Sequence, residues 1–231
     1  MACEHGLRVV RWAGISTGRD GTSLSVVGAA DETAIPAGLR RRMGKLERLA
    51  VRCALGVLGT ESTDELIFCS RYGNLETLLS LLRGIACDQL VSPMAFSGSV
   101  HNATPGYIGQ IRGERIRHTA LAGGARTLAA GLIEVYTRLV CDNASDVTMI
   151  YADSALPGLF NELTEGLAHD RAFAVRLCVA DAVVTGCSDQ RIESVGEGWP
   201  GIENFVDSLE RGASGISVEA VIGRTGSHET F

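Results

Sequence analysis

The chain has 231 residues, 45% of them hydrophobic, and a formal net charge of −6 at pH 7. That is enough apolar material for one well-packed domain, or for one large half of a bigger assembly. The acidic balance argues against a nucleic-acid partner, because Lys and Arg are not gathered into a stripe except on one helix. No apolar run reaches the roughly 18 residues of a membrane span. The seven cysteines form no CxxC pair and mostly sit in apolar runs, and no signal peptide precedes them. The expectation is a cytoplasmic protein with reduced core thiols.

In chain order, Leu7–Ala13 reads as a first strand, followed by a Gly/Ser/Thr/Asp-rich loop to about residue 34. Pro36 then starts a helix to Leu58, suitably placed as an early-turn proline. Leu39, Met43, Leu46, Leu49, Ala50, Cys53, Ala54 and Val57 recur at three- and four-residue spacing and form one apolar stripe. Arg40, Arg41, Arg42, Lys45, Arg48 and Arg52 lie mostly off it, as a solvated basic face or as a docking surface for an acidic partner. Glu65–Ser70 is a short apolar strand ending at Arg71-Tyr72-Gly73-Asn74, and a Leu-rich helix runs from Leu75 to Leu82. Arg115–Ala120 is a β-like run entering a tight turn at Leu121-Ala122-Gly123-Gly124, with a helix from about Ala125 to Leu139. Val147–Ala152 and Ala172–Ala182 are buried strands, Ile202–Glu210 a short amphipathic helix, and Ile216–Ile222 a closing strand. Apolar strands alternating with helices predict α/β layering around a buried, partly parallel sheet. Without an internal repeat or a long linker, residues 1–231 read as one domain.

Several residues invite a chemical reading. A strand that turns sharply into a buried helix can present a nucleophile at the helix N-terminus. The apex of that turn here is Leu121, which can neither attack a carbonyl nor move a proton. Ser97, Ser99, His101 and Asn102 fall in a stretch dense in turn formers. A Ser–His pair could serve a small hydrolase or thioesterase, although no GxSxG elbow surrounds either serine. The structural alternative is a loop whose His101 and Asn102 cap the following helix. His118 would be packed or hydrogen-bonded within its strand. His5, His169 and His228 have no second ligand at metal-binding spacing, so the sequence implies no metal. Asp153 follows an apolar strand, where α/β sites gather, or it caps the next helix. No GxGxxG or GxxxxGK[ST] occurs, and no cofactor is implied.

Together these segments carry a family resemblance. The stretch SPMAFSGSVHNATPGYIGQIRGERIRHTALAGGARTLAAGL resembles the part of β-ketoacyl synthases, in the thiolase superfamily, that runs from a Ser/Pro entry loop to the nucleophile turn. IPAGLRRRMGKLERLAVRCALGVL is similar to that family's basic amphipathic helix, and ELIFCSRYGNLETLLSLL to its second strand and following helix. The match is best over about residues 7–155 and loose over 156–231. Where the family turn reads Thr-Ala-Cys, this chain has Thr119-Ala120-Leu121. The family's HGTGT-like and later Gly-His motifs are missing, as is the second half of the duplicated fold.

The resemblance therefore implies a thiolase-like α/β half-fold, with helices packed on a mixed sheet. It implies a non-catalytic, chain-length-factor-like subunit, similar to the short ones of bacterial aryl polyene biosynthesis. Such a subunit pairs with a full-length β-ketoacyl synthase and meets acyl carrier protein through the complex. In that frame Arg115, Ile116, Arg117, His118 and Thr119 are the interface strand. Tyr107, Ile108, Gln110 and Ile111, from the preceding helix, lie near the partner's acyl tunnel or fill this chain's own core. A homodimeric acyl-binding protein is a further alternative.

Overall fold

In the computed structural model, the described residues are 6–17, 24–156, 158–163, 169–180, 191–192 and 194–217. β1 (Leu7–Thr17) outruns the expected Ala13 because Gly14–Ser16 pair with strands on both sides and Thr17 with one. One of those neighbours, β2 (Leu24–Val27), lies inside the stretch expected to be loop. Pro36 caps a one-turn helix, α1 (Ala37–Arg40), and the chain breaks before α2 (Lys45–Leu58). A single helix from Pro36 is thereby corrected. Gly44 lies at the break in extended conformation, and a Cβ there would stand 2.6 Å from Glu47 Oε2 and 2.8 Å from Asn74 Nδ2. The expected apolar stripe is intact on α2, with Leu46, Leu49, Ala50, Cys53, Ala54 and Val57 buried.

Next come β3 (Glu65–Cys69), buried throughout, and α3 (Leu75–Ala86), one turn longer than expected. Asn74 caps α3 by accepting from Thr77 N at 3.1 Å. The stretch expected to be a turn-rich loop contains α4 (Pro93–Ser99), which has Ser92 at its N-cap and proline in its first turn. Beyond it lie α5 (Ala103–Arg112), β4 (Arg117–Leu121), α6 (Thr127–Val140), β5 (Val147–Asp153) and β6 (Arg171–Val179). The series ends with β7 (Arg191–Ile192), α7 (Gly198–Glu210) and β8 (Gly215–Ile216). Residues 181–182 of the expected sixth strand and 218–222 of the closing strand lie outside the described residues.

The strands form one mixed sheet in the order β4-β3-β5-β6-β1-β8-β7, with β2 paired to β1. β3 runs parallel to β4 and β5, whereas β5–β6 and β6–β1 are antiparallel. Both faces of the sheet are covered. Ile67, Cys69, Met149 and Tyr151 pack against α6 and α7 on one side. Leu66, Phe68, Ile150 and Ala152 pack against α2 and α5 on the other. Burial on two faces explains why these strands read as continuous apolar runs instead of alternating ones. At Gly131 a Cβ would lie 2.5 Å from Cys69 Sγ, so a small residue is what lets α6 sit close on β3. Among the described residues, no helix is long and apolar enough to cross a membrane.

Candidate functional site

The parallel strands β3, β4 and β5 end side by side. Cys69 is in register with Leu121 on one flank and with Tyr151 on the other. This carboxyl end of a parallel array is where α/β sites form, and Leu121 stands in it. Leu121 is the last residue of β4, half-buried and packed against the α6-side core. It is therefore not the apex of the turn, as the sequence suggested. A short 3₁₀ turn, Gly124–Arg126, intervenes, and α6 begins only at Thr127. Thr127 stitches the turn: its hydroxyl accepts from Gly123 N at 3.0 Å and donates to Gly124 O at 2.8 Å. Gly124 has a φ of 57°, a conformation that costs other residues 1–2 kcal/mol, roughly.

Cys69, beside Leu121, offers no substitute nucleophile. It is fully buried, and burial, reinforced by the charges of Asp153 and Glu134, pushes its thiol far above the range of a reactive thiolate. The Cys53 thiol is likewise pushed up to about 12 by burial.

What the strand ends do hold is a buried polar network that the sequence only hinted at. Asp153 closes β5 with 1% exposure. Its Oδ1 accepts from Ser70 Oγ at 2.9 Å and Arg71 N at 3.0 Å, and its Oδ2 from Tyr151 OH at 2.5 Å. Ser70 Oγ in turn accepts from Gly73 N at 2.8 Å. Burial holds the Asp153 carboxyl above its ordinary pKa, while the Tyr151, Ser70 and Arg71 hydrogen bonds pull the other way. With both oxygens occupied, Asp153 braces the loop between β3 and α3. It is neither a free catalytic carboxylate nor a helix cap. A polar residue ending each of two apolar strands was the sequence signal; their pairing was not visible.

Beside the network lies a cavity of about 380 Å³ lined by Lys45, Asn74, Glu76, Arg83, Ser154 and Asp170, with leucines between them. Lys45 Nζ is ion-paired with buried Asp170, whose Oδ1 also accepts from Ala155 N at 3.1 Å. Two basic and two acidic side chains line the cavity, and Lys45 is engaged by Asp170.

The Ser–His candidates are not brought together. Ser97 and Ser99 lie on α4, where their hydroxyls donate to Pro93 O at 2.9 Å and Phe96 O at 2.8 Å. His101 Nε2 lies 3.2 Å from Ser70 O, against the end of β3. The expected capping of α5 is also corrected: Asn102 occupies the N-cap without a side-chain hydrogen bond. His118 is exposed, with Nδ1 3.1 Å from Ile116 O, and His169 is buried 3.6 Å from Glu203. His5 and His228 lie outside the described residues. Among the described residues, no group of three or more His, Cys, Asp or Glu is placed to hold a metal ion.

The expected interface strand starts two residues late, since Arg115 and Ile116 precede β4, while Arg117, His118 and Thr119 belong to it. β4 is the terminal strand of the sheet. Of the expected tunnel residues, Tyr107 and Ile108 are buried in this chain's own core, with Tyr107 OH donating to Arg42 O at 3.2 Å. That placement is the own-core alternative for these two residues. Gln110 is exposed, and Ile111 is half-buried against the α2–α5 core. The sequence did not single out the apolar side chains that α3 and α4 turn to solvent, among them Leu82, Ile85, Met94 and Phe96. The basic residues of α2 and of the turn between α1 and α2 divide. Arg52 donates to Ala30 O at 2.8 Å and Arg48 lies 3.6 Å from Glu32, whereas Arg41 and Arg42 are exposed.

Known proteins share this arrangement. The structure "Ketosynthase (ApeO) in Complex with its Chain Length Factor (ApeC)" from Xenorhabdus doucetiae matches with a TM-score of 0.67 at 22% identity, over 77% of this chain and 80% of that one. The ishigamide ketosynthase/chain length factor matches with a TM-score of 0.60 at 18% identity, over 78% of this chain and 63% of that one. A β-ketoacyl synthase from Burkholderia phymatum matches with a TM-score of 0.56 at 13% identity, over 76% of this chain and 59% of that one. The chain thus spans about three fifths of the latter two, and at these identities the likeness establishes the thiolase-like ketosynthase fold. No curated protein sequence matches significantly. Residues 18–198 match the family described as β-ketoacyl synthase, N-terminal domain, and the chain belongs to that family.

Proposed function

We propose that the chain is a non-catalytic, chain-length-factor-like subunit that pairs with a full-length β-ketoacyl synthase and helps shape its acyl tunnel. The reaction served is decarboxylative condensation of malonyl units on acyl carrier protein with a chain held on the partner's cysteine, as in aryl polyene synthesis. One observation carries the reading: Leu121, an alkyl side chain, ends β4 at the position where the family resemblance expects the cysteine. Among the described residues beside it, Cys69 is buried with its thiol pushed up and Asp153 already accepts from three donors, so neither replaces that chemistry.

Two surface features support a partner. The outer edge of β4 is unpaired among the described strands. Packed helices α3 and α4 expose Leu78, Leu82, Ile85, Met94 and Phe96, with Val100 just past the end of α4, and apolar patches of this kind on a monomer mark interaction sites. Gln110 and Ile111 remain the candidates for limiting the tunnel, because added bulk shortens a close-packed cavity. The exposed guanidiniums of Arg41 and Arg42 are available to an acidic carrier protein reached through the complex.

The test compares condensation of malonyl-carrier-protein substrates by the chain alone, by a full-length β-ketoacyl synthase alone and by the co-expressed pair. Turnover is expected only when the synthase is present, with product length set by the pair. Turnover by the isolated chain would sink the proposal.

A further inference from the structure

Among the described residues β4 pairs only with β3, so along its other side backbone N–H and C=O groups face outward as a template for a strand from another molecule. The charged side chains at this edge have one sign. Arg115 is exposed, and the Arg117 side chain is 71% exposed. β4 reads Arg-His-Thr-Ala-Leu and contributes no carboxylate. The nearest acids are committed within the chain. Glu114 receives a two-point bridge from Arg112, at 3.1 and 3.0 Å. Glu65, its side chain 4% exposed, is shared between Arg117 at 3.7 Å and Arg138 at 3.4 Å, and accepts from Thr119 at 3.3 Å.

We propose that this charge pattern selects the partner at the β4 edge, rejecting a second copy of the chain and accepting a foreign strand with acidic side chains opposite Arg115 and Arg117. The inference rests on reading β4 as the partner edge. Two copies related by a two-fold axis pair isologously, residue i against j and j against i. A two-fold at Ile116 sets Arg115 against Arg117 twice. A two-fold at Arg117 sets the two Arg117 side chains against each other. A two-fold at His118 still leaves them on a diagonal, at ~7–8 Å. Like charges directly opposed across strands are destabilising, and the local carboxylates are already engaged. A foreign strand bearing Asp or Glu turns the same positions into charge-assisted hydrogen bonds, for which the planar guanidinium fork is well shaped.

Arg115→Glu tests this without knowledge of the partner's sequence. With a two-fold at Ile116, the new carboxylate faces Arg117 on both sides of the axis, and the edge becomes self-complementary. Sedimentation velocity of the full chain alone, across a concentration series in low salt, is expected to show roughly tenfold tighter self-association of Arg115→Glu than of wild type. Arg115→Gln should fall between, and raising the salt should erase the gain. Wild type self-associating as tightly as Arg115→Glu, or a gain that ignores salt, overturns the proposal. In a second arm, the full-length synthase is co-expressed with each form, and Arg115→Glu should hold it more weakly. Equal retention of the synthase overturns the acidic-partner assignment. If wild type captures no synthase while Arg115→Glu still gains salt-sensitive self-association, the charge rule at the edge stands and the synthase reading falls.

Discussion

The Ser70 hydroxyl donates to Asp153 Oδ1 across 2.9 Å, tying together the exits of two neighbouring parallel strands. Through it, Gly73 N and the first turn of α3 are fixed relative to β5. The loop that would border an active site is braced, and no atom of the bracing is left over for catalysis.

Asp153→Asn is expected to cost ~1–3 kcal/mol, because an amide cannot accept from Ser70, Arg71 N and Tyr151 together. The pH dependence has a definite sign. Burial raises the Asp153 pKa in the folded chain, so the folded state holds the proton more tightly than the unfolded state. The contribution is therefore complete below the ordinary value of about 3.9 and is lost as pH rises through the raised folded value. In urea titrations, the advantage of wild type over Asp153→Asn should shrink as pH climbs from that point. A gap that widens over the same interval contradicts the assignment.

Gly73 has a φ of 61°, and a Cβ there would lie 2.7 Å from His101 Cε1. Gly73→Ala should destabilise by at least ~2 kcal/mol, from left-handed backbone strain plus the displaced ring. His101→Ala alone loses the contact to Ser70 O and the edge contact of its ring with Phe68, ~1–2 kcal/mol together. The double variant should cost less than the sum of the two, because the clash has gone. Strict additivity in denaturant midpoints would show that Gly73 and His101 do not share this space.

Leu121→Cys should leave the isolated chain inactive in condensation. His101 is committed to Ser70 O and His118 to Ile116 O, and the family's histidine motifs do not occur in the sequence. A thiol at the end of β4 therefore has no proton-transfer partner. Ketoacyl product above the no-protein blank refutes this.

Phe96 is 60% exposed, so Phe96→Ala should change the stability of the chain alone by no more than ~0.5 kcal/mol. As an aromatic anchor in the synthase interface, it should weaken the complex by roughly tenfold or more. Unchanged affinity by calorimetry removes α4 from the interface. Gln110→Trp separately tests the tunnel, and a product length identical to wild type would exclude that position.

The order of strands and helices was legible along the chain because periodicity is local. The stripe on α2 and the apolar runs of β3 and β5 report their burial directly. The break at Gly44 was not legible, since the crowding behind it comes from Glu47 together with Asn74, which bonds Glu47 from 30 positions beyond the glycine. Nor was α4, whose Ser and Gly residues resemble a loop until Pro93 and the Ser92 cap are seen to start a helix.

By itself the sequence determined that Leu121 cannot act as a nucleophile and that the strands around it are buried, because side-chain chemistry and hydrophobic patterning are properties of the residues. Only the tertiary structure decided that β4 lies at the sheet edge, that Tyr107 and Ile108 face inward, and that Ser70 meets Asp153. Those facts depend on strand order and helix orientation, set by contacts between segments far apart in the chain, which no local pattern encodes.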